Sequence, residues 1–451
     1  YNDSSFKTSD NDMLEQLLKK LPGIEIGTDG SITANGETIK KITIDGKTFF
    51  LDDPQLASKN IPAKLIEKVK VVEKKSDQAM FTGIDDGEEE TVLDFGIKKG
   101  MNTGVMGNFD FSVGTKHRYS ERGMLSYMKD DLRVMGFGQA NNVGDRGFPG
   151  GGGGFRMGGG NGLSASKMLG VNINYEKKDV LKIDGSVRWN HNDNDTWSKK
   201  ATENFVSSAN AFSNSLSQSY QRRDRWNANI RLEWSPDSMT NIMFRPRLSL
   251  STTDKRSASR NASYNQDPYQ YVDDPLAEES ITELDRLDMM VNSKNSRSLS
   301  YSESNSASAM VQVNRKLGKP GRNITLRGNY SYSDGESTSA SLQDVTLYQM
   351  LDQLGNDSVF NTNRYNVAPT KKHDYTLRAT YTEPIMKQLY LQLSYTFKHS
   401  FSKSDRNTFD FSMLPMPEYQ MAYGDWGFLP QPIGPYIDSD LSRYSEYTTD
   451  T

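Results

Sequence analysis

The stretch "LYLQLSYTFKHSF" (389–401) limits the folds open to this chain more than any other. Leu389, Leu391, Leu393, Tyr395, Phe397 and Phe401 occupy alternate positions, and a period of two puts them on one face of an extended strand. The same grammar recurs from about residue 104 onward. It appears in "NFDFSVG" (Phe109, Phe111, Val113), "LGVNINY" (Leu169, Val171, Ile173, Tyr175), "LKIDGSVRW" (Leu181, Ile183, Val187, Trp189), "WNANIRLEW" (Trp226, Ala228, Ile230, Leu232, Trp234) and "ITLRGNYSY" (Ile324, Leu326, Tyr330, Tyr332). The opposite face carries Asn172, Asn174, Arg188, Asn227, Asn229, Arg231, Glu233, Arg327 and Gln392. A water-soluble sandwich also alternates, so the pattern alone leaves two architectures open.

Length and spacing separate them. Several segments alternate for about nine residues or more, which is what a tilted strand needs to cross a bilayer. Trp189, Trp226, Trp234 and Tyr332 stand near segment ends, where interfacial girdles form. The connections alternate short and long. Short ones are predicted at 128–131, 176–179, 235–240, 317–322 and 383–388, and long ones at 139–166, 192–222, 252–299, 334–371 and 402–445. Transmembrane barrels pair short periplasmic turns with long extracellular loops in this way. The expected fold is therefore mainly β, a transmembrane antiparallel β-barrel. About eleven strands are legible, with a twelfth begun near Ser442, and a single-chain barrel in lipid leaves no open edge. The chain is expected to supply the first 11–12 of about 22 strands, the size of barrel that holds a plug.

Composition agrees. Mean hydropathy is −0.72, the apolar share is 35%, and aromatics make up 10%, so the chain is polar without being compositionally disordered. A net charge of −4 gives no reason to expect nucleic acid as a partner. With no cysteine, disulfides, thiol nucleophiles and cysteine metal sites are excluded. No apolar run is long enough for a transmembrane helix.

Residues 1–100 read differently, as a small α/β unit, with 101–451 forming the barrel portion. "DMLEQLLKKLPG" places Leu14, Leu17, Leu18 and Leu21 at helical spacing. Asp29-Gly30, Asn35-Gly36 and Asp45-Gly46 signal tight hairpins. "DPQLASKN" and "PAKLIEKV" suggest short helices, each with proline near its first turn. "KVKVVEKK" and "TVLDFGIKK" suggest strands.

The segments "LEQLLKKLPGIEI" (14–26), "ITIDGKTFFLDDPQLASKNIPAKLIEKVKV" (42–71) and "KKSDQAMFTGIDDGEEE" (74–90) resemble the plug of TonB-dependent outer-membrane receptors. The match is to the receptor-like group common in Bacteroidetes. The resemblance covers about residues 1–110 through motifs, and the barrel only through pattern. It implies a plug lodged in a barrel lumen, a location in the bacterial outer membrane, and import of a scarce nutrient with energy relayed through TonB. Such receptors carry a TonB-contacting segment upstream of the plug, whereas this chain begins inside the plug at "YNDSSF". A surface lipoprotein is a further candidate partner. The alternative is a plugged barrel serving as a surface platform or as a subunit of a larger envelope complex, without active transport.

Catalytic signals are lacking: there is no G-x-S-x-G, no H-E-x-x-H and no Walker lysine. No enzymatic activity, metal or cofactor is expected, and the substrate-binding residues are unknown. His117, His191, His373 and His399 lack zinc-type spacing. The acidic run "GIDDGEEE" (83–90) has no calcium-loop spacing and reads as a plug turn facing basic wall residues such as Arg188, Arg231 or Arg245. "NHNDNDTW" (190–197) reads as the polar start of a long loop. Pro246 in "RPRLSL" predicts a bulge near a turn. Tyr264, Tyr269, Tyr271, Tyr419 and Trp426 are loop aromatics able to stack on sugars or peptides, or to pack the loops together. The run "DRGFPGGGGGFRMGGGNG" (145–162) has strand-like grammar on both sides and no following helix. It therefore reads as a long extracellular loop and not as a phosphate cradle.

Overall fold

The computed structural model describes residues 9, 12–27, 31–49, 54, 58, 61–75, 79, 81, 89–98, 103–129, 131–143, 162–177, 180–205, 211–351, 353–386, 389–410 and 438–450. The N-terminal unit opens with α1 (Leu14–Leu18), which buries Leu14, Leu17 and Leu18 as their spacing requires. Strands β1 (Ile24–Ile26), β2 (Ile32–Ala34) and β3 (Glu37–Thr38) form an antiparallel ribbon. A second sheet contains β4 (Lys41–Ile44), β5 (Lys47–Phe49), β6 (Ile66–Lys75) and β7 (Glu89–Ile97) in the order β5-β4-β7-β6. In the β4–β5 hairpin Asp45 and Gly46 both have positive φ, 50° and 77°, the pairing a two-residue turn of this hand requires. Asp94 fixes that turn by accepting from Thr43 Oγ1 and from the Gly46 N–H, each at 2.7 Å.

One expectation fails here. "PAKLIEKV" forms a single 3-10 turn at Ala63–Leu65, and β6 begins at Ile66. Ile66 and Val69, three residues apart, fit a helix face, and only a register shift between Ile66 and Lys68 lets both be buried in a strand; Val69, Val71 and Val72 are β-branched and lose χ1 freedom in a helix. Pairing with β7 satisfies their backbone. In "DPQLASKN" only 54 and 58 are described, both helical; the rest lies outside the described residues, as do 82–88 and 144–161.

The remaining strands are β8 (Gly104–Gly114), β9 (Arg118–Lys129), β10 (Leu132–Asn141), β11 (Gly162–Lys177), β12 (Leu181–Glu203), β13 (Phe212–Asp237), β14 (Thr240–Tyr264), β15 (Met290–Lys316), β16 (Asn323–Leu351), β17 (Asp357–Asn361), β18 (Arg364–Met386), β19 (Leu389–Asp410) and β20 (Asp438–Asp450). They form one thirteen-stranded antiparallel sheet. Sequence neighbours pair throughout, except that the short β17 stands beside β16, which pairs on to β18. The molecule is mainly β. All five short connections fall where the sequence puts them, since Lys129 pairs with Leu132, Lys177 with Leu181, Asp237 with Thr240, Lys316 with Asn323 and Met386 with Leu389.

Of the long connections, 139–166 lies between Asn141 and Gly162 as expected, but the other four contract. Strands expected to stop near the end of the apolar alternation continue well past it: β15 runs for 27 residues and β16 for 29. "NHNDNDTW" is interior to β12 and not a loop. The 252–299 interval contracts to a connection between Tyr264 and Met290 that carries α2 (Glu278–Arg286). A ladder needs a hydrogen-bonding partner and not an apolar one. Serine-, threonine- and asparagine-rich segments therefore extend it without leaving a hydropathy signal. Pro246 likewise makes no bulge. It pairs with Ala309 on β15, and the register shift lies at the turn, between Trp234 and Asp237.

The polarity of the sheet is inverted relative to a water-soluble core. On one face Val187, Ile230, Leu248, Val311, Leu326, Leu377 and Leu391 are exposed. On the other Arg133, Asn174, Asp184, Arg231, Asn241, Gln312, Asn314 and Thr325 are buried. The polar face carries the N-terminal unit. Met124, Met135, Phe137 and Met168 of β9–β11 join Leu14, Ile42, Ile66, Leu93 and Phe95 in one hydrophobic cluster.

Candidate functional site

The polar face of the sheet is the candidate site. Where it meets the N-terminal unit, Arg133 Nη1 donates to the Ile44 carbonyl at 3.3 Å, a buried bond between β10 and β4. One strand over, the Phe137 ring lies across Gly170, which faces it in the register, and reaches Arg188 on β12, whose guanidinium sits 5.9 Å from the ring centroid. A Cβ at Gly170 would collide with that ring, so this position accepts only glycine without movement. At the far side Lys316 Nζ stands 4.4 Å from the ring centroid of Phe81 in the N-terminal unit.

Toward the short-turn end the wall is a hydrogen-bonded network. Asn314 donates to Asn241, Gln312 donates to Asn314, and Thr325 donates to Asn314, at 3.2, 3.1 and 2.9 Å. Arg327 Nε donates to Gln312 at 2.7 Å. Asn174 donates to Asp184, and Arg231 pairs with Glu233 at 3.5 Å. Buried amides and ions persist because their hydrogen bonds are made.

Cations continue along this face beyond the network. By register, Arg245, Arg247 and Lys255 of β14, Arg223 and Arg225 of β13, Arg378 and Lys372 of β18, and Lys398 of β19 share it with Arg188. Its carboxylates include Asp184, Glu233 and Asp374 and, by register, Glu176, Asp110 and Asp410. Between the cations the wall is tiled with hydroxyls such as Ser251, Thr253, Ser302, Ser304 and Ser306. Arg188, Arg231, Arg245 and Arg327 are legible from sequence as residues of this face, but the continuation through Arg223, Arg225 and Lys255 is not. Those residues lie where apolar alternation has already stopped.

The predicted acidic turn at 83–90 is described only at Glu89 and Glu90, and Glu90 pairs with Lys41 at 3.4 Å. Arg231, expected opposite that turn, engages Glu233.

The exposed face changes character within two residues. Trp189 and Trp226, with ring centroids 6.3 Å apart, close the apolar belt. The next outward positions are His191 and Asp224, and Trp189 Nε1 donates to Asp224 at 3.2 Å. His191 contacts Asp224 at 2.8 Å and Asp193 at 3.1 Å. Burial pushes the Asp193 carboxyl up, but bonds from Arg222, His191 and Tyr220 outweigh it, and its pKa lies below the ordinary value. Of the other histidines, His373 packs on Tyr332 at 4.8 Å and His399 on Tyr375 at 4.8 Å, both on the apolar face. Among the described residues no three or more potential ligands surround a common metal position. No described helix is long and apolar enough to cross a membrane.

Of the loop aromatics, Tyr264 is fully buried and donates to the Pro275 carbonyl at 2.8 Å. It packs with Leu276, Leu284 and Met289, holding the α2 connection against the sheet. Tyr269 and Tyr271 are half exposed. Tyr419 and Trp426 lie outside the described residues, as does the glycine-rich run up to residue 161. Beside the α2 connection a cavity of about 570 Å³ is lined by Trp197, Leu216, Gln218, Arg260, Arg297 and Asp344 among others. Arg260 already donates to the Leu276 carbonyl at 2.8 Å.

No family model matches the sequence, and no curated protein matches it. Similar solved structures include the following three. They are the siderophore receptor PiuA from Acinetobacter baumannii (11% identity, TM-score 0.33, 97% of this chain and 58% of that one), the alcaligin outer membrane receptor FauA from Bordetella pertussis (11% identity, TM-score 0.21, 89% and 75%), and BauA, the ferric preacinetobactin receptor from Acinetobacter baumannii (12% identity, TM-score 0.26, 91% and 75%). The chain thus spans 58% of the length of PiuA. At these TM-scores the likenesses carry no argument of their own, and the reading of the chain rests on the inverted polarity of its sheet.

Proposed function

We propose that the chain belongs to a receptor of the TonB-dependent type in the bacterial outer membrane. Residues 1–100 act as the plug, and residues 101–451 are part of the barrel that the plug closes. One observation carries the reading: the sheet exposes an apolar belt and buries a polar wall against the N-terminal unit. Exposed aliphatics in this number are costly in water and stabilising in lipid. The barrel would admit a scarce nutrient when the plug moves, and nothing in the wall suggests catalysis. The resemblance of the N-terminal motifs to the group common in Bacteroidetes extends the proposal to that group, where a surface lipoprotein is a natural capture partner.

A second reading keeps the plug permanently seated and makes the barrel a binding platform. The continuous cluster across Phe95, Phe137 and Met168, together with the Arg133–Ile44 bond, favours it. Uptake in cells carrying the full-length gene separates the two. Deleting TonB should abolish ligand accumulation while surface binding remains; unchanged accumulation would sink the transport reading. The barrel is tested first by electrophoresis of the full-length protein from detergent, where a band that shifts on heating is expected.

A further inference from the structure

The cations of the polar wall run past the rows that meet the plug cluster. Met168 is the β11 residue that joins the plug cluster, and its row runs through Asn190 to Arg225. Arg223 and Lys255 lie beyond that row, toward the long-connection end. They are therefore not there to seat the part of the plug that packs on β9–β11. Among the described residues, their wall neighbours by register are hydroxyls and amides and not carboxylates. Arg223 Nε donates to Thr253 at 3.2 Å, and Arg225 stands between Asn190 and Ser251. The Arg225 Nε is buried with no hydrogen-bond partner among the described residues. An unpaired buried guanidinium N–H is costly, and the group that best satisfies it is an oxyanion presented in its plane.

The spacing adds a second constraint. Arg247 and Lys255 lie on one strand and one face, eight residues apart, about 27 Å along β14. A compact monoanion meets one of these cations. A ligand that meets several has charges distributed along its length.

We infer that the cargo of this wall is a hydrophilic polyanion, an extended molecule bearing repeated carboxylate, sulfate or phosphate groups, guided by Arg247, Arg225, Arg223 and Lys255. This rests on the receptor reading above and names the substrate class for it. Hydroxyls such as Ser302 and Ser304 accept or donate to the ligand's neutral groups and cost little to leave hydrated. Because the cations are partly exposed, the attraction is screened by salt.

The test uses full-length protein in detergent with its plug in place and equilibrium titration at low and high salt. The probes are oligogalacturonate for carboxylate, a heparin tetrasaccharide for sulfate and short-chain polyphosphate for phosphate, with maltohexaose as the neutral control. At least one polyanion should bind, and its affinity should fall tenfold or more between 50 and 500 mM salt, as an order-of-magnitude expectation from screening. The neutral control should not bind. Arg225→Gln with Arg247→Gln should cut that affinity about tenfold or more. Arg256→Gln should leave it unchanged, because Arg256 lies on the opposite face over the Tyr220 ring. If the double variant loses its heat-modifiable band, Lys255→Gln replaces it and should weaken binding severalfold. Equal binding of the neutral probe, no polyanion bound, or polyanion affinity indifferent to these wall substitutions would each overturn the inference. Its failure is distinct from that of the receptor reading. TonB-dependent uptake of a neutral ligand would refute only the inference, and polyanion binding without TonB-dependent uptake would refute only transport.

Discussion

Arg133 on β10 and Ile44 on β4 are joined by a single buried hydrogen bond, guanidinium to carbonyl, at 3.3 Å. Here a side chain of the sheet reaches the backbone of the N-terminal unit, and Arg133 is only 6% exposed. Hydrogen bonds from charged donors contribute about 1.5–3 kcal/mol. Arg133→Met keeps the stem and removes the donor. We expect it to weaken docking of the N-terminal unit by about 2 kcal/mol, read as faster hydrogen exchange in 41–49 with β12–β16 unchanged. Uniform exchange across the chain would contradict a local role for this bond.

Val311 is 43% exposed and its neighbour Gln312 is 1% exposed. At a water-exposed site a valine-to-arginine change stays within about 0.5 kcal/mol. In the middle of a lipid-facing belt it costs about 2–4 kcal/mol. Val311→Arg should therefore lower the stability of the full-length protein refolded into lipid vesicles by the larger amount. A neutral result would place this face in water.

Gly170 has no room for a side chain because the Phe137 ring lies over it. Gly170→Ala should cost about 1–3 kcal/mol through overpacking. Adding Phe137→Leu should recover part of the loss, since the clash is with the ring. A double-mutant cycle in denaturant measures the recovery, and additive losses would show that the two do not meet.

Asp274, in the connection after β14, accepts from Lys199 Nζ at 3.0 Å, and that bond holds its carboxyl below the ordinary value of 3.8. A depressed folded pKa stabilises above the unfolded value and is lost as pH falls through the folded one. The pair is exposed, so the effect is small, about 0.5 kcal/mol. Protease cleavage within 265–289 should rise slightly as pH drops below about 3.8, and Lys199→Met should remove that acid step without changing cleavage at neutral pH.

Much of the fold was legible because a two-residue period is local. Leu389 to Phe397 declare a face without reference to any partner, and so do the turn signals at Asn35-Gly36 and Asp45-Gly46. The five short turns could be placed for the same reason. Strand ends could not. His191 follows Trp189 on the same face of one unbroken strand, yet the hydropathy pattern stops between them while the backbone ladder does not. Ile66 failed the other way: its spacing of three to Val69 reads as helical, and pairing with β7 through a register shift makes it a strand.

The sequence by itself determined which side chains share a face, because alternation is a property of the chain. Only the tertiary structure decided where on the polar face the N-terminal unit sits, how far the strands run past the apolar belt, and that Arg223, Arg225, Arg247 and Lys255 line one wall. Those facts depend on register between strands tens of residues apart and on the N-terminal unit seated against Phe137 and Met168, and no local pattern carries that information.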